Sequence, residues 1–198
     1  TIVDSLEAFI AVFNKHVRDN KDPLTGDEIE KFRSMSSRKA IRYAGVRWWQ
    51  VPKLLVRGIP DFKALLPSLQ TFEGLPEVIR KLHKRGDKLF IITSNTNESV
   101  ETFLKLHKLD EYFTGKDTAV GLFNKASHIR NMIKVYKLAK SETIYIGDET
   151  RDIRAAKLAL VSSVSVTWGF NNVAILKKYK PTFLIHRPED LLKIELQK

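Results

Sequence analysis

Asp148, Glu149 and Asp152 place three carboxylates within the five positions after Gly147, the glycine that ends the apolar run Thr143-Ile144-Tyr145-Ile146. Carboxylates gathered there suit Mg²⁺, a hard cation that takes oxygen ligands and keeps several waters. In an α/β protein a strand that feeds a helix ends at the crevice where ligands bind. The helical pattern over 151–160 supports a second account. In it Asp148 caps the helix and the other acids complement its dipole, at about 0.3–1 kcal/mol each. By themselves these residues fit both accounts equally.

Other polar groups close apolar runs elsewhere. Lys88-Leu89-Phe90-Ile91-Ile92 runs into Thr93-Ser94-Asn95, and Lys125 stands at a junction between loop and helix. A hydroxyl, an amine and a metal-binding carboxylate together match what a phosphoryl group needs. Thr93 and the amides of Ser94 and Asn95 would hydrogen-bond phosphate oxygens, and Lys125 would neutralise charge. Each has a plainer account. Thr93 would cap a turn, Lys125 would be one of many surface lysines, and Asp152 would be a first-turn helix acid. The set in this order is more specific than any member.

The elements that must position these groups fall into two parts. Asp4-Ser5-Leu6-Glu7 has the form of a capping box, and Leu6, Phe9, Ile10, Phe13 and Val17 mark one helix face to about residue 20. Thr25-Gly26-Asp27-Glu28 opens a second helix, Ser36 or Ser37 a third, and 48–57 and 61–69 read as two more. Residues 4–70 are thus helical, with no convincing strand. From residue 71 the pattern alternates. Helices are expected over 75–85, 98–109, 126–138, 151–160, 172–178 and from 188. Strands are expected over 88–93, 118–123 (weakly), 143–147, 161–167 and 182–185. Such alternation implies α/β architecture, a doubly wound parallel sheet with helices on both faces, beside a helical module.

The 198 residues carry a formal charge of +11 and no cysteine. No apolar run approaches the ~20 residues that span a bilayer, which argues against a membrane protein. The lack of cysteine fits a reducing, cytoplasmic setting. Basic residues are spread along most of the chain, so the charge reads first as a basic surface.

Thr93, Lys125 and Gly147-Asp148-Glu149-Thr150-Arg151-Asp152 resemble the second, third and fourth motifs of the haloacid dehalogenase superfamily. Glu73-Gly74-Leu75-Pro76 and Val166-Thr167-Trp168-Gly169-Phe170 agree as flanks. The resemblance covers nearly the whole chain and is closest to the phosphoglycolate-phosphatase-like branch, whose helical cap follows the first motif. It implies a cap at 4–70 and a core formed by 1–3 and 71–198. It also implies that Thr93 orients the phosphoryl group, Lys125 stabilises its charge, and Asp148 ligates Mg²⁺ with support from Asp152. A proline commonly follows that lysine in this branch; Ala126 stands here, which leaves Lys116 as a rival.

Thr1-Ile2-Val3-Asp4-Ser5 resembles only the tail of the first motif. The resemblance puts the nucleophile, the general acid/base and their strand before Thr1. Lacking that strand, those ending at Thr93 and Gly147 would present unpaired edges in mid-sheet. The expectation is a protein that begins upstream; the alternative is a truncated, inactive form.

Lys31, Arg33, Arg38, Lys39, Arg42, Arg47, Lys53, Arg57 and Lys63 face Asp61 as the sole acid of their stretch. They read as a solvated basic face, or else Arg38, Lys39 or Arg42 grips a second anionic group of the substrate. Trp48-Trp49 reads as packing. The leading expectation is a Mg²⁺-dependent phosphatase of a small phosphorylated metabolite. Its rivals are a sugar-phosphate mutase of the same fold, a dehalogenase, and a non-catalytic module that binds nucleic acid. No aromatic-and-basic motif favours the last, and a dehalogenase does not call for the acidic cluster.

Overall fold

The computed structural model describes residues 1–18, 22–118 and 124–195. Helices α1 (Leu6–Val17), α2 (Gly26–Arg33), α3 (Ser37–Tyr43) and α4 (Val51–Leu65) form the first part. The chain enters this part through β1 (Val3–Asp4) and leaves it through β2 (Gln70–Thr71). These pair antiparallel, Val3 opposite Thr71 and Asp4 opposite Gln70, so the module's two ends lie side by side. A two-residue strand has no periodicity to betray it, which is why β2 is absent from the sequence reading.

The Thr25 capping box forms: the Thr25 side chain accepts from Glu28 N, and the Glu28 carboxylate accepts from Thr25 N at 3.0 Å. The box expected at Asp4 does not. Ser5 is the N-cap of α1 without a side-chain bond, and Asp4 is spent on β1. The two helices expected over 48–57 and 61–69 are one. A 3-10 turn at Trp48–Gln50 runs into α4, which continues through Pro60 to Leu65. Proline inside a helix costs about 3 kcal/mol or more. The burial of Leu66 and Leu69 at the end of α4, against Ala8 of α1, opposes that cost. Gly58 is needed for close approach, since a Cβ there would sit 2.9 Å from Val12 Cγ1 of α1. Trp48 and Trp49, expected to pack, are 76% and 56% exposed and stack edge-to-face on each other.

The second part alternates as its sequence demands. Helix α5 (Leu75–Lys84) precedes β3 (Leu89–Ile92), α6 (Asn97–Leu106) and β4 (Phe113–Asp117). Then come α7 (Lys125–Val135), β5 (Ile144–Gly147), α8 (Thr150–Ala159), β6 (Ser162–Val166), α9 (Val173–Lys178) and β7 (Phe183–Ile185). A 3-10 turn, Pro188–Lys193, stands where the last helix is expected.

Strands β3 and β4 are parallel, as are β5, β6 and β7 in that order. A strand, β4, forms at Phe113–Asp117, where none is expected, and the strand expected over 118–123 falls at 119–123 outside the described residues. Gly115 disguises β4. A Cβ at that position would collide with the Tyr136 ring, and strand glycines often mark such close approach.

Among the described residues no hydrogen-bonded ladder joins β3 to β5, and packing holds the halves together. Ile91, Val164, Val166 and Ile185 bury one face against Leu75, Val78 and Leu82 of α5, joined by Ile144 and Ile146. Their chain neighbours Ile92 and Tyr145 instead meet Ile129 and Ile133 of α7 and Ala155, Ala156 and Ala159 of α8. Successive strand residues point to opposite faces, so helices cover both. The architecture is α/β, a doubly wound parallel sheet with a helical module.

Candidate active site

Lys125 opens α7 after β4, and Asp152 lies in the first turn of α8 after β5. Lys125 Nζ meets Asp152 Oδ1 at 2.6 Å, so the carboxyl ends of both ladders share one edge. Asp152 Oδ2 accepts from the Glu149 amide at 3.0 Å, satisfying a donor that the helix start leaves over. Both oxygens of Asp152 are thereby engaged. Burial by itself would lower the Lys125 ammonium; the Asp152 carboxylate outweighs it and holds the amine above the ordinary lysine range. Burial, with the Asp152 charge adding to it, pushes the Tyr145 phenol up to about 12, and the Lys125 ammonium stands over that ring. Lys116, the rival lysine, pairs with Glu101 at 3.6 Å.

Asp148 is not the helix cap; Glu149 is. Asp148 Oδ2 accepts from the Phe170 amide at 2.8 Å, and its backbone oxygen accepts from Asn171 N at 3.0 Å. Oδ1 faces the Thr1 amino nitrogen at 2.9 Å and takes the Thr1 hydroxyl proton. Burial would raise this carboxyl. The Thr1 hydroxyl and the Phe170 amide oppose that by hydrogen-bonding to the carboxylate. Two glycines make room: a Cβ on Gly169 would collide with the Asp148 carboxyl, and one on Gly147 with the Asp152 side chain.

Thr93 follows β3, and its amide donates to Asp117 O at 3.0 Å. Its hydroxyl oxygen accepts from Asn95 N at 3.2 Å, the turn-capping bond that the plainer account foresees, leaving the hydroxyl proton to donate elsewhere. Ser94 and Asn95 are exposed, with the Asn95 amide engaged by Thr93. Thr93 is tied to this edge by packing, since Ile92, Ala126 and Tyr145 share one cluster.

Arg38, Lys39 and Arg42 are exposed on α3. The N-terminus of that helix touches the site, with Ser37 Oγ donating to Glu149 Oε2 at 3.0 Å. Arg33 of the helical module reaches the site loops. Its guanidinium donates to the carbonyls of Phe170 and Gly169 at 3.0 and 3.3 Å. Asn171, 1% exposed, is the other residue that spacing does not reveal. Asn171 adjoins the flank Gly169-Phe170, but an asparagine beside another reads only as a loop or helix cap.

For a divalent cation the donor chemistry is that of one carboxylate, Asp148. Among the described residues no group of three or more His, Cys, Asp or Glu side chains is placed to hold a metal ion. A Mg²⁺ ion needs only one or two protein carboxylates when waters and substrate phosphate complete its shell. The site therefore fits a shared Mg²⁺ and does not form an all-protein cage.

This sheet edge, with its buried lysine and carboxylates, belongs to an α/β fold with a helical module. The chain belongs to the haloacid dehalogenase-like hydrolases, whose family profile matches residues 1–166. It is 33% identical over 198 residues to the phosphoglycolate phosphatase of Synechococcus elongatus, spanning 100% of this chain and 93% of that protein. It is also 31% identical over 129 residues to the pyrophosphatase PpaX of Bacillus mycoides, 64% of this chain and 60% of that one. A haloacid dehalogenase-like family hydrolase from Streptococcus pneumoniae superposes with a TM-score of 0.79 at 20% identity, covering 98% of this chain and 92% of that chain. Among the described residues no helix is long and apolar enough to cross a membrane.

Proposed function

We propose that this protein is a Mg²⁺-dependent phosphatase of a small phosphorylated metabolite in the cytoplasm, with 2-phosphoglycolate as the first substrate to test. The observation that carries the reading is the Lys125–Asp152 pair, whose carboxylate stands in the first turn of α8, next to the turn that bears Asp148. It supports a fixed cation and a hydrogen-bonded carboxylate at one sheet edge, where a phosphoryl group develops charge. The full-length likeness to a phosphoglycolate phosphatase favours that substrate.

In the proposed reaction an aspartate attacks phosphorus, the alkoxide leaves with a proton, and water hydrolyses the resulting aspartyl-phosphate. The resemblance assigns that aspartate and the general acid/base to the family's first motif, whose tail Thr1–Ser5 resembles. Lys125 balances charge on the phosphoryl oxygens while Asp152 keeps the amine protonated and aimed. Thr93 donates its free hydroxyl proton to a phosphoryl oxygen, and the amide of Ser94 lies beside it. Asp148 would hold Mg²⁺, which supplies charge neutralisation when bound. Residues 4–70 serve as a cap on a core of 1–3 and 71–198, excluding bulk water and selecting the leaving group.

The test is phosphate release by the full-length protein from an aryl phosphate, 2-phosphoglycolate and pyrophosphate, with Mg²⁺ and with EDTA. Release that requires Mg²⁺ and prefers 2-phosphoglycolate supports the reading. Equal release in EDTA, or none from any substrate, sinks it. Movement of phosphate within a sugar phosphate, without liberation, would make the protein a mutase.

A further inference from the structure

Residues 169–172 hold two things at once. Toward the sheet edge, Phe170 N binds the Asp148 carboxylate and Asn171 N binds the Asp148 carbonyl. The Asn171 side-chain oxygen accepts from Thr150 N at 2.9 Å, at the start of α8. Toward the helical module, Asn171 Nδ2 donates to the carbonyls of Arg33 and Met35, each at 2.9 Å, where α2 ends. Asn172 repeats the pattern: its amide donates to Arg33 O at 3.0 Å, and its side chain donates to Glu30 at 2.7 Å. Arg33 closes the joint by donating to Gly169 O and Phe170 O.

A neutral primary amide is the group this joint requires. It must give two protons to carbonyls on one side and accept one from an amide on the other. A carboxylate of the same shape would set negative oxygen against two carbonyl oxygens. An apolar side chain would forfeit all three bonds in a site that is 1% exposed, leaving Arg33 O with only the Asn172 amide.

We propose that Asn171 is the positioning residue through which docking of the helical module sets the Asp148–Thr150 turn. Undocking α2 removes the acceptors that orient the Asn171 amide, and the amide then no longer fixes Thr150 N. The turn that aims Asp148 loosens with it. Closure of the module over a substrate and completion of the carboxylate site thus become one event. That consequence rests on the phosphatase reading; the mechanical coupling does not.

Arg33→Ala separates the two, because it loosens the docking of α2 by removing the bonds to Gly169 O and Phe170 O while the backbone carbonyl that Asn171 uses and the Asn171–Thr150 bond stay in place. In the metal-free full-length protein, hydrogen exchange at the Thr150 amide should quicken about ten-fold, within the usual span of coupling between sites. Calorimetric titration with Mg²⁺ should show affinity falling by a similar factor. Asn171→Ala should weaken both further, and Arg33→Ala should add nothing to Thr150 exchange in the Asn171→Ala background. A residue that merely glues the fold would lower the melting temperature and leave Thr150 exchange in Arg33→Ala unchanged. That result overturns the proposal, even where Asn171→Ala fails to fold. Quicker Thr150 exchange in a protein that hydrolyses no phosphate ester would leave the coupling standing and remove the phosphatase reading instead.

Discussion

Lys125 and Asp152 form an ion pair 2.6 Å long with side chains only 13% and 5% exposed, and it ties the start of α7 to the start of α8. Breaking a buried pair from one side leaves an uncompensated charge, which costs about 3–5 kcal/mol. Lys125→Met and Asp152→Asn should each lose about that much stability in urea unfolding. The double variant should lose clearly less than the sum, because neither charge is then stranded. A Lys125→Met protein within about 1 kcal/mol of wild type would show the pair to be solvated, against the burial argument.

The same site predicts how stability depends on alkaline pH. Tyr145, raised to about 12 chiefly by burial, keeps its proton in the folded chain where the unfolded chain releases it near 10. Lys125, also raised, contributes stability that is full below its unfolded value and lost as pH climbs through its folded one. Both effects have one sign, so stability should fall from about pH 10 upward and be indifferent to this pair at pH 7–9. Tyr145→Phe keeps the ring and removes one proton. It should flatten the fall between pH 10 and 12 by on the order of 2 kcal/mol. Unfolding curves for variant and wild type that run parallel across that window would refute the assignment.

Gly169→Ala tests the seat of Asp148. The added Cβ would occupy space taken by the Asp148 carboxyl, so the carboxylate must shift, while β6 and α9 on either side are untouched. A shift of about 1 Å at a catalytic group can cost about 10²-fold in rate. Phosphate release should fall by that order and its Mg²⁺ half-saturation should rise, with the melting temperature nearly unchanged. Unaltered Mg²⁺ dependence would place the metal elsewhere.

The contiguous parts of the site were readable because local chemistry builds them. Gly147 through Asp152 is a strand end and a helix start in one stretch, and Thr93 closes a run that could only be strand. Residues whose roles depend on distant partners were not. Arg33 meets Phe170 across 137 positions and Asn171 meets Arg33 across 138, partly through backbone carbonyls that carry no residue signature. Three features of the fold misled for physical reasons of their own. Helix α4 runs through Pro60 where two helices are expected, β4 runs through Gly115 where no strand is expected, and Trp48-Trp49 reads as packing although both residues are exposed.

Gly58 sets two magnitudes against each other in the helical module. Replacing a helix-interior glycine by alanine gains about 0.8–1 kcal/mol of helix propensity. Here the new methyl would stand 2.9 Å from Val12 Cγ1, on a β-branched side chain that a helix confines largely to one rotamer. Val12 therefore cannot swing aside, and overpacking of this kind costs about 1–3 kcal/mol. The steric term wins, so Gly58→Ala should be net destabilising by about 1 kcal/mol in thermal unfolding. Val12→Ala opens the space and exposes the propensity gain, so adding Gly58→Ala to it should stabilise. If Gly58→Ala stabilises the wild-type background as well, α1 and α4 are not in the close contact described.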